Sequence, residues 1–324
     1  MTHFIGIDLG GTNLRAGVVD ARTGALTAVH KTQTLAREGP TAVIARMVAL
    51  IAQVRAEAGL TTIGGVGIGA PGTVDIEGGI VRYLPNLPGH WRDVPLAALI
   101  HDQTGLPTWL LNDVRVTTLA EWKFGAGRGV DTAVCYAIGT GIGGGLVVGG
   151  QLVLNFSGSA GELGHTVVEP NGLPCICGGR GCLELYAAGP AIMSAAVKAV
   201  MHGHTTSIGR YVEYDLNRLT VETVEQAARD GDAIAARIFA EAGFYLGVSI
   251  SNLIQTIGPG VVILGGGVAR AGDLLLEPIW RTVRERVHML SPTHLDSIRI
   301  VPATLGTNAG LIGAGVWAAE RAHG

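Results

Sequence analysis

Between residues 161 and 184 the chain gathers many of its reactive side chains: Glu162, His165, Cys175, Cys177, Cys182 and Glu184. Three of the four cysteines lie here. A Cys-x-Cys pair with a third cysteine five residues on can close three sulfurs around one ion. The glycines at 178, 179 and 181 tolerate positive φ and let the backbone turn tightly enough to do so. His165 supplies a fourth ligand. Cys₃His is a complete tetrahedral zinc set with no open position, so the zinc expected at His165, Cys175, Cys177 and Cys182 is structural. The alternatives at this spacing are a disulfide plus a spare thiol, or three buried cysteines. Such a clamp would bring Glu162 and His165 from one side and Glu184 from the other into one polar site.

Two carboxylates elsewhere stand at the ends of apolar runs. Asp8 closes a first strand over residues 4–9 and is followed by Gly10, Gly11 and Thr12, then by a second apolar run over 14–19. Two strands joined by a tight turn read as a β-hairpin. Its turn offers backbone N–H groups and a hydroxyl, which a polyphosphate needs, and Asp8 is placed to meet a Mg²⁺ travelling with nucleotide. An ordinary hairpin with glycine in its turn fits the segment equally well. Asp113 follows Asn112 at the end of a strand over 108–111, before a helix over about 116–124. Open α/β sheets keep their chemistry at that place. The same carboxylate would also serve as a helix N-cap.

The elements between them are legible. Residues 40–58 carry an apolar helical face, with Pro40 near the start and Gly59 past the end. A glycine-rich strand over 62–69 follows, ending at Ala70, Pro71 and Gly72. Gly67, Gly69 and Gly72 satisfy a GxGxxG spacing, as do Gly139, Gly141 and Gly144, but both run into strands where a dinucleotide site requires a helix. Neither continues into a Walker-type Gly-Lys-Ser/Thr. Residues 85–91 are a loop with one amide, Asn86, among turn formers. A strand over 132–138 leads into Gly139, Thr140 and Gly141, a second Gly-Thr-Gly turn that echoes the first. Residues 205–217 interrupt the later helices as a polar, mobile insert. Gly265, Gly266 and Gly267 follow a strand over 261–264, where a flat ring could approach the backbone. A last strand over 297–302 precedes a small-residue helix over about 308–322.

With 324 residues, 48% of them apolar, and 50 glycines, the chain suits two compact, turn-rich α/β domains. A net charge of -3 leaves no basic footprint for nucleic acid and no polybasic membrane patch. The start lacks the features of a signal peptide. The most apolar stretch, residues 238–257, is broken by Glu241, Asn252 and Gln255 and reads as a buried helix, not a membrane span. A cysteine cluster without an export signal favours metal over disulfides and a reducing cytoplasm.

Asp8, Gly10, Gly11, Thr12 and Arg15, the turn over 139–144, Gly265 to Val268, and Gly164 and His165 through the cysteine run to Glu184 together resemble the ROK sugar kinases over essentially the whole chain. Within that family the pattern is most similar to the bacterial ATP-dependent glucokinases. The resemblance implies an actin-like ATPase (ribonuclease H-like) α/β fold, two α/β domains around a cleft. Residues 1–113 would form the N-terminal domain, 114–307 the larger one with the zinc clamp, and the last helix, about 308–324, would return to the first. It implies ATP, Mg²⁺ and structural Zn²⁺, a small-molecule hexose as substrate, and a homo-oligomer, dimer or tetramer. Asp113 would be the catalytic base. Gly72, Asn86, Asn112, Glu162, His165 and Glu184 would bind the sugar. Asp8, Gly10, Gly11, Thr12, Thr140, Gly141, Gly265, Gly266 and Gly267 would bind the nucleotide and its metal. His165 would serve twice, with one ring nitrogen on zinc and the other toward the sugar.

The reaction implied is transfer of phosphate from ATP to glucose, giving glucose 6-phosphate for glycolysis. Kinases for N-acetylmannosamine, N-acetylglucosamine, fructose or mannose are the neighbouring readings. A sugar-sensing regulator of the same family carries a helix-turn-helix domain ahead of the phosphate motif, for which the start of this sequence leaves no room. A zinc-stabilised carbohydrate-binding module would not need paired Gly-Thr turns. One departure from the family stands directly behind the base: Val114 and Arg115 replace its small residues and Asn. The Arg115 charge could lower the Asp113 pKa, pair with a phosphate, or point away.

Overall fold

The computed structural model of the chain describes residues 1–84, 87–89, 91–154 and 158–323. The chain forms two compact units. One comprises Met1–Val130, Gly145–Gly161 and Ala303–Gly324, the other Asp131–Gly144 and Glu162–Pro302. The first unit thus keeps residues past 113, where the sequence reading drew its line.

In the first unit, strands β1 (His3–Leu9), β2 (Asn13–Asp20), β3 (Leu26–Gln33), β4 (Val66–Ala70) and β8 (Thr108–Asn112) make a sheet in the order β3-β2-β1-β4-β8. β1 runs antiparallel to β2 and parallel to β4, which is parallel to β8. Because side chains alternate along a strand, Ile5, Ile7 and Leu9 of β1 and Val66 and Ile68 of β4 share one face. There they pack on helix α1 (Pro40–Ala58) through Val43, Met47, Leu50, Ile51 and Val54. Pro40 opens α1, and Gly59 closes it in the left-handed conformation, as the sequence suggests.

The other face explains the glycine-rich strand. A Cβ on Gly6 or Gly67 would run into the backbone of helix α11 (Ala309–His323), and one on Gly69 into Val116 of helix α3 (Asp113–Phe124). Two glycines of the GxGxxG decoy therefore exist for close helix-on-sheet packing. Leu111, Val116, Leu119, Ile312, Val316 and Trp317 fill the core on this side. Strands β5 (Thr73–Asp75), β6 (Ile80–Tyr83) and β7 (Arg92–Val94) form a small antiparallel sheet in that order, and α2 (Leu96–Thr104) precedes β8.

A second sheet runs β11-β10-β9-β12-β13, from β9 (Ala133–Ile138), β10 (Ile142–Val148), β11 (Gln151–Leu152), β12 (Val261–Gly265) and β13 (Arg299–Pro302). β12 is parallel to both β9 and β13. The helices of the second unit are α4 (Glu184–Ala187), α5 (Gly189–Met201), α6 (Ile208–Tyr211), α7 (Val221–Arg229), α8 (Ala233–Ile257), α9 (Asp273–Arg286) and α10 (Pro292–Ser297). Asp232 caps α8 by accepting from the Ile234 and Ala235 N–H groups, and Gly258 ends it. By length and composition α8 is apolar enough to cross a bilayer. It packs instead along α9, where Gly243 and Gly247 lie against Pro278 and Thr282. The polar segment over 205–217 is not a loose insert. It carries α6, with Ile208 and Val212 buried, and is tied to Asp232 by the Thr206 and Ser207 hydroxyls at 2.8 Å each.

Candidate active site

In the first unit the carboxyl ends of three parallel strands converge. Asp8 of β1 is in register with Gly69 of β4, and Ala70 with Asn112 of β8. Asn112 Nδ2 donates to the Gly72 carbonyl at 3.1 Å, so Gly72, Asn112 and Asp113 are fixed together. The helix cap is Asn112 rather than Asp113: its Oδ1 accepts from the backbone N–H groups of Val114 at 3.0 Å and Arg115 at 3.3 Å. Asp113 occupies the first helical turn, with Oδ1 accepting from Val114 N at 2.9 Å.

Asp8 is close enough to feel Asp113. Burial first, and the Asp113 charge second, push its carboxyl up to about 6, against a smaller opposing pull from Arg15. Two carboxylates crowded at strand ends favour a cation between or beside them. The turn beside Asp8 is held by Gly10 N–H donating to Asn13 O at 3.0 Å. Buried Thr34 braces it, with Oγ1 donating to Gly10 O at 2.6 Å and its N–H donating to Thr12 O at 2.9 Å. Asp8, Gly10, Gly11, Thr12, Arg15 and Lys31 line a hollow of about 520 Å³.

Arg115 follows two residues after Asp113, in the first turn of α3. It is 2% exposed and turned inward. Its guanidinium donates to Asn112 Oδ1 at 2.9 Å, Ala160 O at 3.0 Å and Ser159 O at 3.2 Å. It therefore secures the cap in front of Asp113. A second buried charge, Glu121, is satisfied by four donors: the N–H groups of Ala126, Thr304 and Leu305, and the Thr304 hydroxyl, at 2.7–3.2 Å.

In the second unit, one donor atom each of His165, Cys175, Cys177 and Cys182 lie within 4.8 Å of one another. Cys177 Sγ is 3.6 Å from Cys182 Sγ, and Cys175 Sγ is 3.7 Å from His165 Nδ1. A tetrahedral zinc with Zn–S of about 2.3 Å requires ligand–ligand edges of about 3.8 Å, so the set fits. A disulfide sulfur pair sits near 2.05 Å, and all three cysteines are free thiols. Burial pushes the Cys182 thiol up to about 12 and also raises Cys175, while the Gly179 N–H lowers Cys177. Three thiolates this close need a cation to coexist.

Glu184 Oε1 lies 3.5 Å from both His165 Nδ1 and Cys175 Sγ. A Cβ on Gly141 would stand 3.0 Å from Glu184 Oε2, so the second Gly-Thr-Gly turn abuts this carboxylate. Glu162 leads directly into the short helical turn that carries His165. Asn86 lies outside the described residues.

The echo of the first turn is structural. Gly139 N–H donates to Gly141 O at 2.9 Å, closing the β9–β10 turn. Gly265 ends β12 in register with Ala137, so both glycine runs leave the carboxyl ends of neighbouring parallel strands. Gly139, Thr140 and Gly267 line a mostly apolar hollow of about 250 Å³ with Met193, Val221 and Val268. The sequence reading missed Met193 and Val221, which are ordinary helix residues until α5 and α7 are placed. It also gave no role to Lys31, Thr34 or Glu121.

The sequence profile of the ROK family matches residues 4–321. The chain belongs to the ROK family. It is 37% identical over 322 residues to the glucokinase of Thermotoga maritima, spanning 99% of this chain and 98% of that one. Among solved structures, a ROK hexokinase from Thermus thermophilus superposes with a TM-score of 0.85 at 31% identity, covering 99% of both chains. A ROK family glucokinase from Streptomyces griseus, solved in complex with glucose and AMPPNP, gives 0.81 at 33% identity over 98% of this chain and 99% of that one. The fold is accordingly the actin-like ATPase α/β fold expected from the resemblance.

Proposed function

We propose that the protein is an ATP-dependent sugar kinase acting on glucose, with the 6-hydroxyl as acceptor. The observation that carries this reading is the meeting of Asp8, Gly72, Asn112 and Asp113 at parallel strand ends beside a Gly-Gly-Thr turn. The glucokinase of T. maritima and the glucose- and AMPPNP-bound S. griseus enzyme support it.

Phosphoryl transfer asks the protein to position groups, balance charge and exclude water. Asp113 would accept the proton of the attacking hydroxyl, an effect worth roughly 10²–10⁴-fold. With Gly10 closing the turn, the N–H groups of Gly11 and Thr12, and those of Thr140 and Gly141, would hold donor phosphates. Asp8 would hold the Mg²⁺ that neutralises them. Gly265, Gly266 and Gly267 would border the adenosine, for which the apolar hollow beside Gly267 is suited. Asn86, Asn112, Glu162, His165 and Glu184, with Gly72, would pair the sugar hydroxyls. In this division of labour residues 1–113 and the last helix carry the base, the first turn, Gly72, Asn86 and Asn112, and 114–307 carry Thr140, Gly141, Glu162, His165, Glu184, the zinc set and the 265–267 run. Zinc on His165 Nδ1, Cys175, Cys177 and Cys182 would be structural, leaving His165 Nε2 for the sugar. A cytoplasmic location and a dimeric or tetrameric state belong to the same reading; the free thiols at the zinc set support the first.

The test is ADP release with ATP, Mg²⁺ and each of glucose, mannose, fructose, N-acetylglucosamine and N-acetylmannosamine. A site of buried polar groups rejects a sugar lacking one hydroxyl by roughly 10⁴–10⁵, whereas an epimer only misdirects its hydroxyl, so mannose should be the best of the alternatives. A tenfold preference for fructose or an N-acetyl sugar would overturn glucose as substrate. Sugar binding without ADP release would overturn the kinase itself.

A further inference from the structure

Arg115 joins two stretches of chain that both supply candidate sugar contacts. From the first turn of α3 its guanidinium reaches Asn112 Oδ1 and two consecutive carbonyls, Ser159 O and Ala160 O. The Asn112 cap has backbone donors of its own, from Val114 and Arg115, so the larger effect of the guanidinium falls on the two carbonyls. Residues 158–161 belong to no helix or strand. Gly158 and Gly161 both take positive φ, 71° and 91°, so this segment turns without a ladder to stiffen it. A buried fork donating to adjacent carbonyls fixes such a path from one side. The other side is fixed past residue 162. There the Glu162 carbonyl accepts from His165 N–H at 3.0 Å, and Leu163 of that short turn is buried. Glu162 is itself exposed and stands between the two anchors, so the backbone that carries it is held from both ends.

We infer that Arg115 is a positioning residue for the sugar, acting through the 159–161 segment to present Glu162. It sets the affinity for glucose and leaves the phosphate donor and the proton-transfer step nearly untouched. This rests on the sugar-kinase reading above and deepens it by adding a determinant of sugar binding that does not touch the sugar. Without the fork, sugar binding has to order the segment, and that cost appears as weaker affinity for the sugar.

The experiment compares wild type with Arg115→Met and Arg115→Lys, at a temperature where circular dichroism shows every form folded. KM for glucose should rise roughly 10- to 100-fold in Arg115→Met, the worth of one hydrogen bond to a charged group, with kcat within about threefold and KM for ATP within about twofold. Arg115→Lys keeps the charge without the fork and should fall between. Loss of folded protein lowers apparent kcat at unchanged KM, so this split separates positioning from stability. Glu162→Gln should raise KM for glucose too, and adding Arg115→Met to it should raise it no more than about twofold further, since both act on one contact. Fully additive effects would overturn the proposal, as would a KM for glucose within about twofold of wild type in Arg115→Met. Calorimetric titration of glucose and amide hydrogen exchange over 158–165 need no catalysis and keep the two readings separable. Weaker glucose binding in Arg115→Met, with 158–165 losing more protection than helix α1, upholds the positioning role even if no ADP is released. Protection of 158–165 equal to wild type sinks it even if the kinase is active.

Discussion

Replacing Arg115 by Met keeps most of the side-chain volume and removes the charge and its donors. The guanidinium sits in the first turn of α3, where the helix dipole disfavours a cation, and it is 2% exposed. Among its acceptors are Asn112 Oδ1, Ala160 O and Ser159 O. Asn112 Oδ1 keeps the Val114 and residue-115 backbone donors in the variant, so little is lost at that atom. The carbonyls of 159 and 160 each lose a charged donor, worth about 1.5–3 kcal/mol apiece, or roughly 3–6 kcal/mol together. Relief of the unfavourable dipole and of the desolvated charge returns about 1–2 kcal/mol. The expected net loss is about 3 kcal/mol. Urea unfolding followed by tryptophan fluorescence reads it cleanly, because Trp91, Trp109, Trp122 and Trp317 all lie in the first unit and only Trp280 in the second. Arg115→Lys keeps the charge but not the fork and should recover less than half of the loss. A Met variant within about 1 kcal/mol of wild type would show that the fork bonds contribute nothing net.

Three further outcomes are expected. Asp113→Asn should retain sugar and nucleotide binding yet lose at least about two orders of magnitude in kcat; near-wild-type turnover would leave Asp113 as a helix-terminus residue only. Cys177→Ala should lose both bound zinc and sugar affinity, since the metal's binding energy of roughly 10–16 kcal/mol appears as folding energy; full activity in wild-type protein with clearly less than one zinc per chain would refute the metal. For Asp8, a folded pKa of about 6 against the ordinary 3.8 means the folded state binds more protons between those values, so stability falls as pH rises through that window. Without Mg²⁺, Asp8→Asn should thus match wild type near pH 4 and exceed it by up to about 3 kcal/mol above pH 6; a difference independent of pH from 4 to 7 would refute it.

What the sequence made legible was local. The zinc set needs only the spacing within 165–182, because a tight loop brings i, i+2 and i+7 together whatever surrounds it. The Gly-Thr turns and the strand-end Asp113 are likewise written in a few adjacent residues. The family resemblance supplied the remaining candidate residues, including Asn86, which lies outside the described residues. Three things were not local. Lys31 meets Arg15 only once the β2–β3 register is fixed, and that register shifts at a bulge between Ala16 and Val18. The direction of Arg115 depends on main-chain carbonyls more than forty residues away. Ile208 and Val212 are too sparse for periodicity to expose, which is why 205–217 reads as an insert.

The glycines carry the deeper lesson about reading such a chain. Gly67 and Gly69 have the spacing of a nucleotide loop, yet they sit within β4, where α11 and α3 press so close that no Cβ fits. Gly10 and Gly139 stand just past strand ends, where their N–H groups close hairpin turns. A glycine inside a strand and a glycine one residue beyond it obey different constraints, the first from packing and the second from turn geometry. The helix that imposes the first constraint also frames the second. Gly310 of α11 comes so near Asp8 that a Cβ there would stand 3.0 Å from its carboxyl carbon. Close packing on glycine thus helps to bury Asp8, and that burial, with the Asp113 charge behind it, raises its pKa.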